Sequence, residues 1–239
     1  MLNRNMIRIL RAFDPAPIKL LIFDLDGTLI DSQLDLVHSI NAMLWHFSKP
    51  ELPGEVIATY VGDGAPMLVR RALGDPEDEH FVQEALNYFL AYYREHKLDN
   101  TRAYEGVHEA LRSIRQTNNG QPRKMAVLSN KPVNPSRAII DGLGLAQFFG
   151  HVYGGNSFPT KKPDPLGARK LLEETGCRPQ ETVIVGDANA GTNSTRCAGR
   201  FAAGVGGSVS LRRLFSSRFA RRSGLVALPL IPLSRRGRR

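Results

Sequence analysis

Three short apolar runs, each closing on polar residues, constrain this chain most. They are IKLLIFD at 18–24, KMAVLS at 124–129 and TVIVGD at 182–187. Each is too short for a helix and lacks polar alternation, the pattern of a strand covered on both faces. Helical periodicity lies between them, over 107–116, 135–143 and 166–175, with a further helix reaching about Cys197. Weaker strands are expected at 151–154 and near 201–205. Strands alternating with helices imply right-handed βαβ units and a parallel sheet. The first run is separated from the others by a helical stretch. There Leu34, Val37, Met43, Leu44 and Phe47 fall at helical spacing, and Pro50 and Pro53-Gly54 end the pattern. Further helices are expected over 61–74 and 76–97, with Phe81, Ala85, Phe89 and Tyr93 on one face; this stripe and Trp45 are assigned to core. The expected fold is α/β: a Rossmann-like parallel-sheet core (1–34 and 104–206), an inserted all-helical cap (35–103), and a basic tail (207–239).

The chain has 239 residues and a net charge of +9, which at first suggests a nucleic-acid partner. The charge sits in one place. Residues 200–239 hold ten arginines and no acidic residue, so the rest carries 22 basic and 23 acidic residues. The body is near neutral, and no nucleic acid is expected as its partner. With two prolines in its apolar run, the tail should pack poorly. No apolar run approaches the ~18 residues that span a bilayer, and the N-terminus lacks a secretory apolar region. The two cysteines make neither a disulfide framework nor a metal motif. A cytoplasmic location is the expectation, without membrane attachment.

In an open parallel sheet, ligands bind beyond the carboxyl ends of the strands. The residues there are Asp24, Asp26 and Thr28 after the first run, Ser129, Asn130 and Lys131 after the second, Lys161 and Lys162 in a loop before a helix, and Asp187 after the third. Read singly, Asp24 and Asp26 suit a strand-end turn, and Ser129-Asn130 or Asp187 a helix cap. Together they converge carboxylates at one edge. Two like charges at 4 Å cost on the order of 4 kcal/mol at an effective dielectric near 20, so the cluster calls for a cation. Oxygen-only ligands suit Mg²⁺. A phosphate accounts for the rest: Thr28, Ser129 and Asn130 as donors, Lys162 offsetting its charge.

DLDGT at 24–28, SNK at 129–131, KPDP at 162–165 and GD at 186–187 resemble, in order, the four motifs of the haloacid-dehalogenase-like phosphohydrolases. YVGDGAPMLVRRAL at 60–73 and TRAYEGV at 101–107 are similar to stretches of bacterial phosphoglycolate phosphatases. The resemblance runs from about Ile18 to Val205. It implies that Asp24 is the nucleophile and Asp26 the general acid and base. It also implies that Mg²⁺ is held by Asp24, the Asp26 carbonyl and Asp187, and that the helical insert closes over a small phosphorylated metabolite. The substrate it points to is 2-phosphoglycolate, with Arg70 and Arg102 as candidate partners for the substrate carboxylate. Asp63 is a further candidate for substrate contact, helix capping being its alternative.

Two departures from the family pattern stand out. Gly191 occupies the place of a second aspartate expected four residues after Asp187, and the sequence beyond about Gly206 does not match. They leave open an impaired homologue that binds phosphorylated ligands with little turnover; because the same capped fold supports it, a phosphomutase is a second alternative.

Overall fold

The structure, a computed structural model, describes residues 17–115, 121–186, 207–209 and 228–229. Its centre is β1 (Leu20–Phe23), which pairs in parallel with β4 (Lys124–Leu128) on one side and β6 (Thr182–Val185) on the other. β5 (His151–Tyr153) lies outside β4, and β7 (Gly207–Val209) outside β6. The sheet order is β5-β4-β1-β6-β7-β8, where β8 (Leu228–Pro229) runs antiparallel to β7. Two pieces of the tail expected to pack poorly therefore form strands at the sheet edge. The strand expected near 201–205 and the helix expected up to Cys197 lie outside the described residues.

The central strands alternate between two apolar layers. Leu20 and Ile22 of β1, with Ala126, Leu128 and Ile184, pack on Ala168 and Leu171 of α7 (Leu166–Thr175). Leu21 and Phe23, with Met125, Val127, Val183 and Val185, face the other layer. There they join Leu111 of α5 (Val107–Arg115) and Ile139 of α6 (Val133–Gly142). Both faces are covered, and this is why each run is apolar throughout.

The helical insert comprises α1 (Gln33–His46), α2 (Gly54–Tyr60), α3 (Ala65–Ala72) and α4 (Glu79–His96). The expected helix over 61–74 is corrected here. Residues 54–60 form a helix of their own, and 61–64 is a loop in which Gly62 and Gly64 take φ of 124° and 89°. Those angles suit glycine and interrupt helix. Trp45, expected in the core, is 76% exposed, whereas Phe89 and Tyr93 are buried as expected.

Two crossings join the insert to the sheet domain, and they lie side by side as β2 (Ile30–Asp31) and β3 (Arg102–Ala103), an antiparallel pair. Asp35, in the first turn of α1, clamps them. Its carboxylate accepts from the Asn100 and Thr101 backbone N–H groups (2.9 and 2.7 Å), from Asn100 Nδ2 (2.9 Å) and from Thr101 Oγ1 (2.7 Å). Burial pushes the Asp35 pKa up, but these donors outweigh it and hold the carboxyl below its ordinary 3.8.

Asp35→Ala should cost about 3 kcal/mol, because it orphans several buried donors at ~1–3 kcal/mol each. Since the folded pKa is depressed, the Asp35 contribution is complete above 3.8 and is lost as pH falls below it. Urea midpoints of the two proteins should differ by a constant amount from pH 7 to 5 and converge below pH 4.

Candidate active site

The chain leaves β1 into a tight turn. Asp24 N–H donates to the Val185 carbonyl (2.8 Å), extending the ladder by one residue. The turn closes through Gly27 N–H to the Ile30 carbonyl (2.9 Å), with Gly27 at φ 73°. Asp24 Oδ1 accepts from the Leu25 N–H (2.8 Å) and from Lys162 Nζ (2.8 Å). Asp26 Oδ1 accepts from Lys131 Nζ (2.9 Å) and from Ser32 Oγ. Two carboxylates two residues apart are thus matched by two lysines from different loops. Both lysines are almost fully buried, Lys131 at 7% and Lys162 at 5% exposure.

Lys131 is also covered from the insert. Its ammonium lies 4.8 Å from the centroid of the Tyr93 ring on α4, within cation–π range. Burial disfavours its charge, but the Asp26 carboxylate outweighs burial and raises its pKa. Burial also pushes the Tyr93 phenol up.

The loop after β4 is gripped from two sides. Gly154 and Gly155 run so close to it that a Cβ on Gly155 would lie 2.3 Å from the Asn130 carbonyl oxygen, and one on Gly154 2.3 Å from the Val133 nitrogen. From the insert, the Gly62–Gly64 loop descends onto the same place. Asn130 Nδ2 donates to the Gly62 and Lys162 carbonyls (both 2.9 Å), and Lys161 Nζ donates to the Asp63 carbonyl. Asn130 therefore ties the insert to the Lys162 loop, and both its amide hydrogens are committed. Ser129 Oγ accepts from the Lys131 N–H (3.2 Å), leaving its own proton for another acceptor.

Among the described residues, three buried polar atoms make no hydrogen bond: Thr28 Oγ1, Tyr93 Oη and Asn130 Oδ1. All three belong to this cluster. An orphaned buried polar atom costs ~1–3 kcal/mol, a cost that a bound ligand would relieve.

The structure brings together Asp24, Asp26, Thr28, Ser129, Asn130 and Lys162. Asp187 and Gly191 lie outside the described residues; Asp187 is the second residue after the last of β6. No group of three acidic, histidine or cysteine side chains suited to a metal occurs among the described residues. Arg70 and Arg102 are held elsewhere. Arg70 binds Glu79 and Asp75 within the insert, and Arg102 donates to the Leu98, Asp99 and Thr101 carbonyls. Asp63 pairs with Arg71 (2.7 Å). Sequence reasoning gave no role to Lys131, although it ends the SNK stretch, and placed Tyr93 in the core only. The signal for Lys131 was its position directly after two strand-end polar residues. No helix among the described residues is long and apolar enough to cross a membrane.

Residues 21–205 match the model of the haloacid dehalogenase-like hydrolases. A phosphoglycolate phosphatase of Pseudomonas putida is 36% identical over 187 residues, covering 76% of this chain and 66% of that protein. The chain thus spans just under two thirds of that relative's length. A phosphoglycolate phosphatase of Chromobacterium violaceum is 36% identical over 193 residues, covering 79% of this chain and 85% of that one. A crystal structure described as a predicted phosphoglycolate phosphatase from Haemophilus somnus aligns with a TM-score of 0.72 at 29% identity, covering 81% of this chain and 85% of that one. The chain belongs to the haloacid dehalogenase-like hydrolase family.

Gly155→Ala forces a Cβ into the Asn130 backbone and should lower stability by ~1–3 kcal/mol, as overpacking does. A fall in thermal midpoint accompanied by weaker inorganic phosphate binding is the expected outcome, read by calorimetry with and without phosphate.

Proposed function

We propose that this member of the haloacid dehalogenase-like hydrolases is a phosphatase for small phosphomonoesters, with 2-phosphoglycolate as substrate, acting through a phosphoryl group carried on Asp24. The observation that carries the reading is the pair of buried ion pairs, Asp24–Lys162 and Asp26–Lys131, beside the unpartnered Thr28 hydroxyl. The names of the relatives support the substrate.

Asp24 attacks phosphorus, so an O–P bond forms as the ester O–P bond breaks. Asp26 gives a proton to the leaving alkoxide. Water then attacks the phosphoryl group, Asp26 takes its proton, and the Asp24–phosphorus bond breaks to free phosphate. Lys162, beside Asp24, offsets charge on the transferring group. Thr28 and Ser129 each have a hydroxyl proton to donate to its oxygens. Asn130 acts by holding loops together. Lys161 and Arg71, which converge on Asp63 beside the Gly62–Gly64 loop, join Arg70 and Arg102 as candidate partners for the substrate carboxylate.

The donors available for a metal are oxygens, which fits Mg²⁺. Asp24, the Asp26 carbonyl and Asp187 would hold it. Bound there, Mg²⁺ neutralises charge on the phosphoryl oxygens. The insert over 35–103, seated on Asn130 through Gly62, is the cap that keeps water from the site. Gly191 favours a second reading, a homologue with slow turnover, since a lost supporting carboxylate typically costs 10–100-fold.

Phosphate release should require Mg²⁺, vanish in Asp24→Asn and fall ~10²–10⁴-fold in Asp26→Asn. Wild-type rates from the Asp24 variant would overturn the mechanism. A much higher kcat/KM for sugar phosphates than for 2-phosphoglycolate would overturn the substrate. If Gly191 is a defect, Gly191→Asp lowers the Mg²⁺ concentration at half-maximal rate by about tenfold or more; unchanged half-saturation would remove the second reading.

A further inference from the structure

We propose that Lys131 is a positioning residue for Asp26 and that Tyr93 is the cap residue that seats Lys131, so that proton transfer by Asp26 depends on where α4 lies. The inference rests on the phosphatase reading above. Its starting point is the asymmetry of the Asp26 carboxylate. Both donors to it, Ser32 Oγ and Lys131 Nζ, use Oδ1, and among the described residues none uses Oδ2. Fixing one oxygen orients the other, and Oδ2 is left as the atom that exchanges a proton with the leaving group and then with water.

The two donors are tied to the first and last helices of the cap. Ser32 immediately precedes α1, the first cap helix. Lys131 belongs to the sheet domain, and its ammonium is roofed by Tyr93 of α4, the last cap helix. The backbone of Lys131 is fixed independently, through its N–H to Ser129 Oγ and its carbonyl accepting from Gly155 N–H (2.8 Å). Its side chain is therefore the adjustable part, and the Tyr93 ring is the surface it rests on. Tyr93 is itself stacked on Phe89, centroids 5.7 Å apart and planes 4° from parallel, so it moves with α4. When α4 lifts, Lys131 loses its ring and Asp26 loses its fixed orientation. The ion pair thus makes acid–base chemistry conditional on a seated cap.

The test exploits the leaving group. An alkoxide, as from 2-phosphoglycolate, needs its proton; a p-nitrophenolate needs little help. Lys131→Met should lower kcat/KM for 2-phosphoglycolate by about 100-fold or more and for p-nitrophenyl phosphate by less than about tenfold. The inhibition constant for inorganic phosphate should stay within about threefold, because ground-state binding does not use Lys131. Tyr93→Leu should show the same selectivity at smaller amplitude, and Tyr93→Phe, which keeps the ring, should recover most of the loss. In an Asp26→Asn background, Lys131→Met should have no further effect, since it acts through Asp26. Equal losses on both esters, or an undiminished effect of Lys131→Met without the Asp26 carboxyl, would overturn the proposal. If Lys131→Met does not fold by circular dichroism, the Tyr93 pair decides: equal selectivity in Tyr93→Leu and wild type overturns it. Wild-type protein that hydrolyses neither ester would overturn the phosphatase reading itself.

Discussion

Parallel pairing of β1 on both sides is the constraint from which the rest follows. Leu20–Phe23 is in register with Lys124–Val127 on one edge and Thr182–Val185 on the other. Because the three strands run the same way, their carboxyl ends open at one edge of the sheet. The residues that follow β1 and β4 are brought together there whatever their distance in sequence. That edge collects carboxylates, and repulsion between them must be offset. Lys162 on Asp24 and Lys131 on Asp26 are the local answer, each nearly buried and each with its charge matched within 3 Å. A buried ion pair is weak evidence for stability, because desolvation consumes much of the attraction. Here the pairs serve to orient the two carboxyl groups where solvent is scarce.

The cap is tied to the sheet domain at two places of different character. At the hinge, β2 and β3 pair and Asp35 clamps the returning chain with four donor groups. This attachment is short-range, and it adjoins the Asp26 turn through Ile30 and Ser32. At the far side, Asn130 reaches the Gly62 carbonyl, Lys161 reaches the Asp63 carbonyl, and Lys131 meets Tyr93. These contacts are few, polar and formed by residues next to the strand-end carboxylates. On the proposals above, a cap that pivots about the first attachment would make and break the second, so the position of the cap and the geometry of the site would be one variable. The proposed phosphatase function asks this of a site, which would admit a charged ester and then exclude water.

The sequence by itself determined the class of fold and which polar residues stand at the strand ends. Residues 18–24, 124–129 and 182–187 read as strands because their apolar character is continuous, a local property imposed by burial on both faces. Asp24, Asp26, Thr28, Ser129 and Lys162 were legible because parallel topology fixes which end of a strand carries ligand-binding residues. The helix limits within 54–74 were not legible: the break at 61–64 depends on positive φ at Gly62 and Gly64, which sequence permits but does not require. The partners of the arginines were not legible for a related reason. Arg70 and Arg102 offer charge in a suitable region, yet charge says nothing of direction, and Glu79 and the carbonyls at the end of α4 take them. Tertiary structure alone decided which lysine meets which aspartate, that Asn130 binds loops together, and that Tyr93 of the cap covers Lys131. Those pairings join residues 32 to 138 positions apart, and long-range contacts of this kind arise only when the sheet and the cap are both in place.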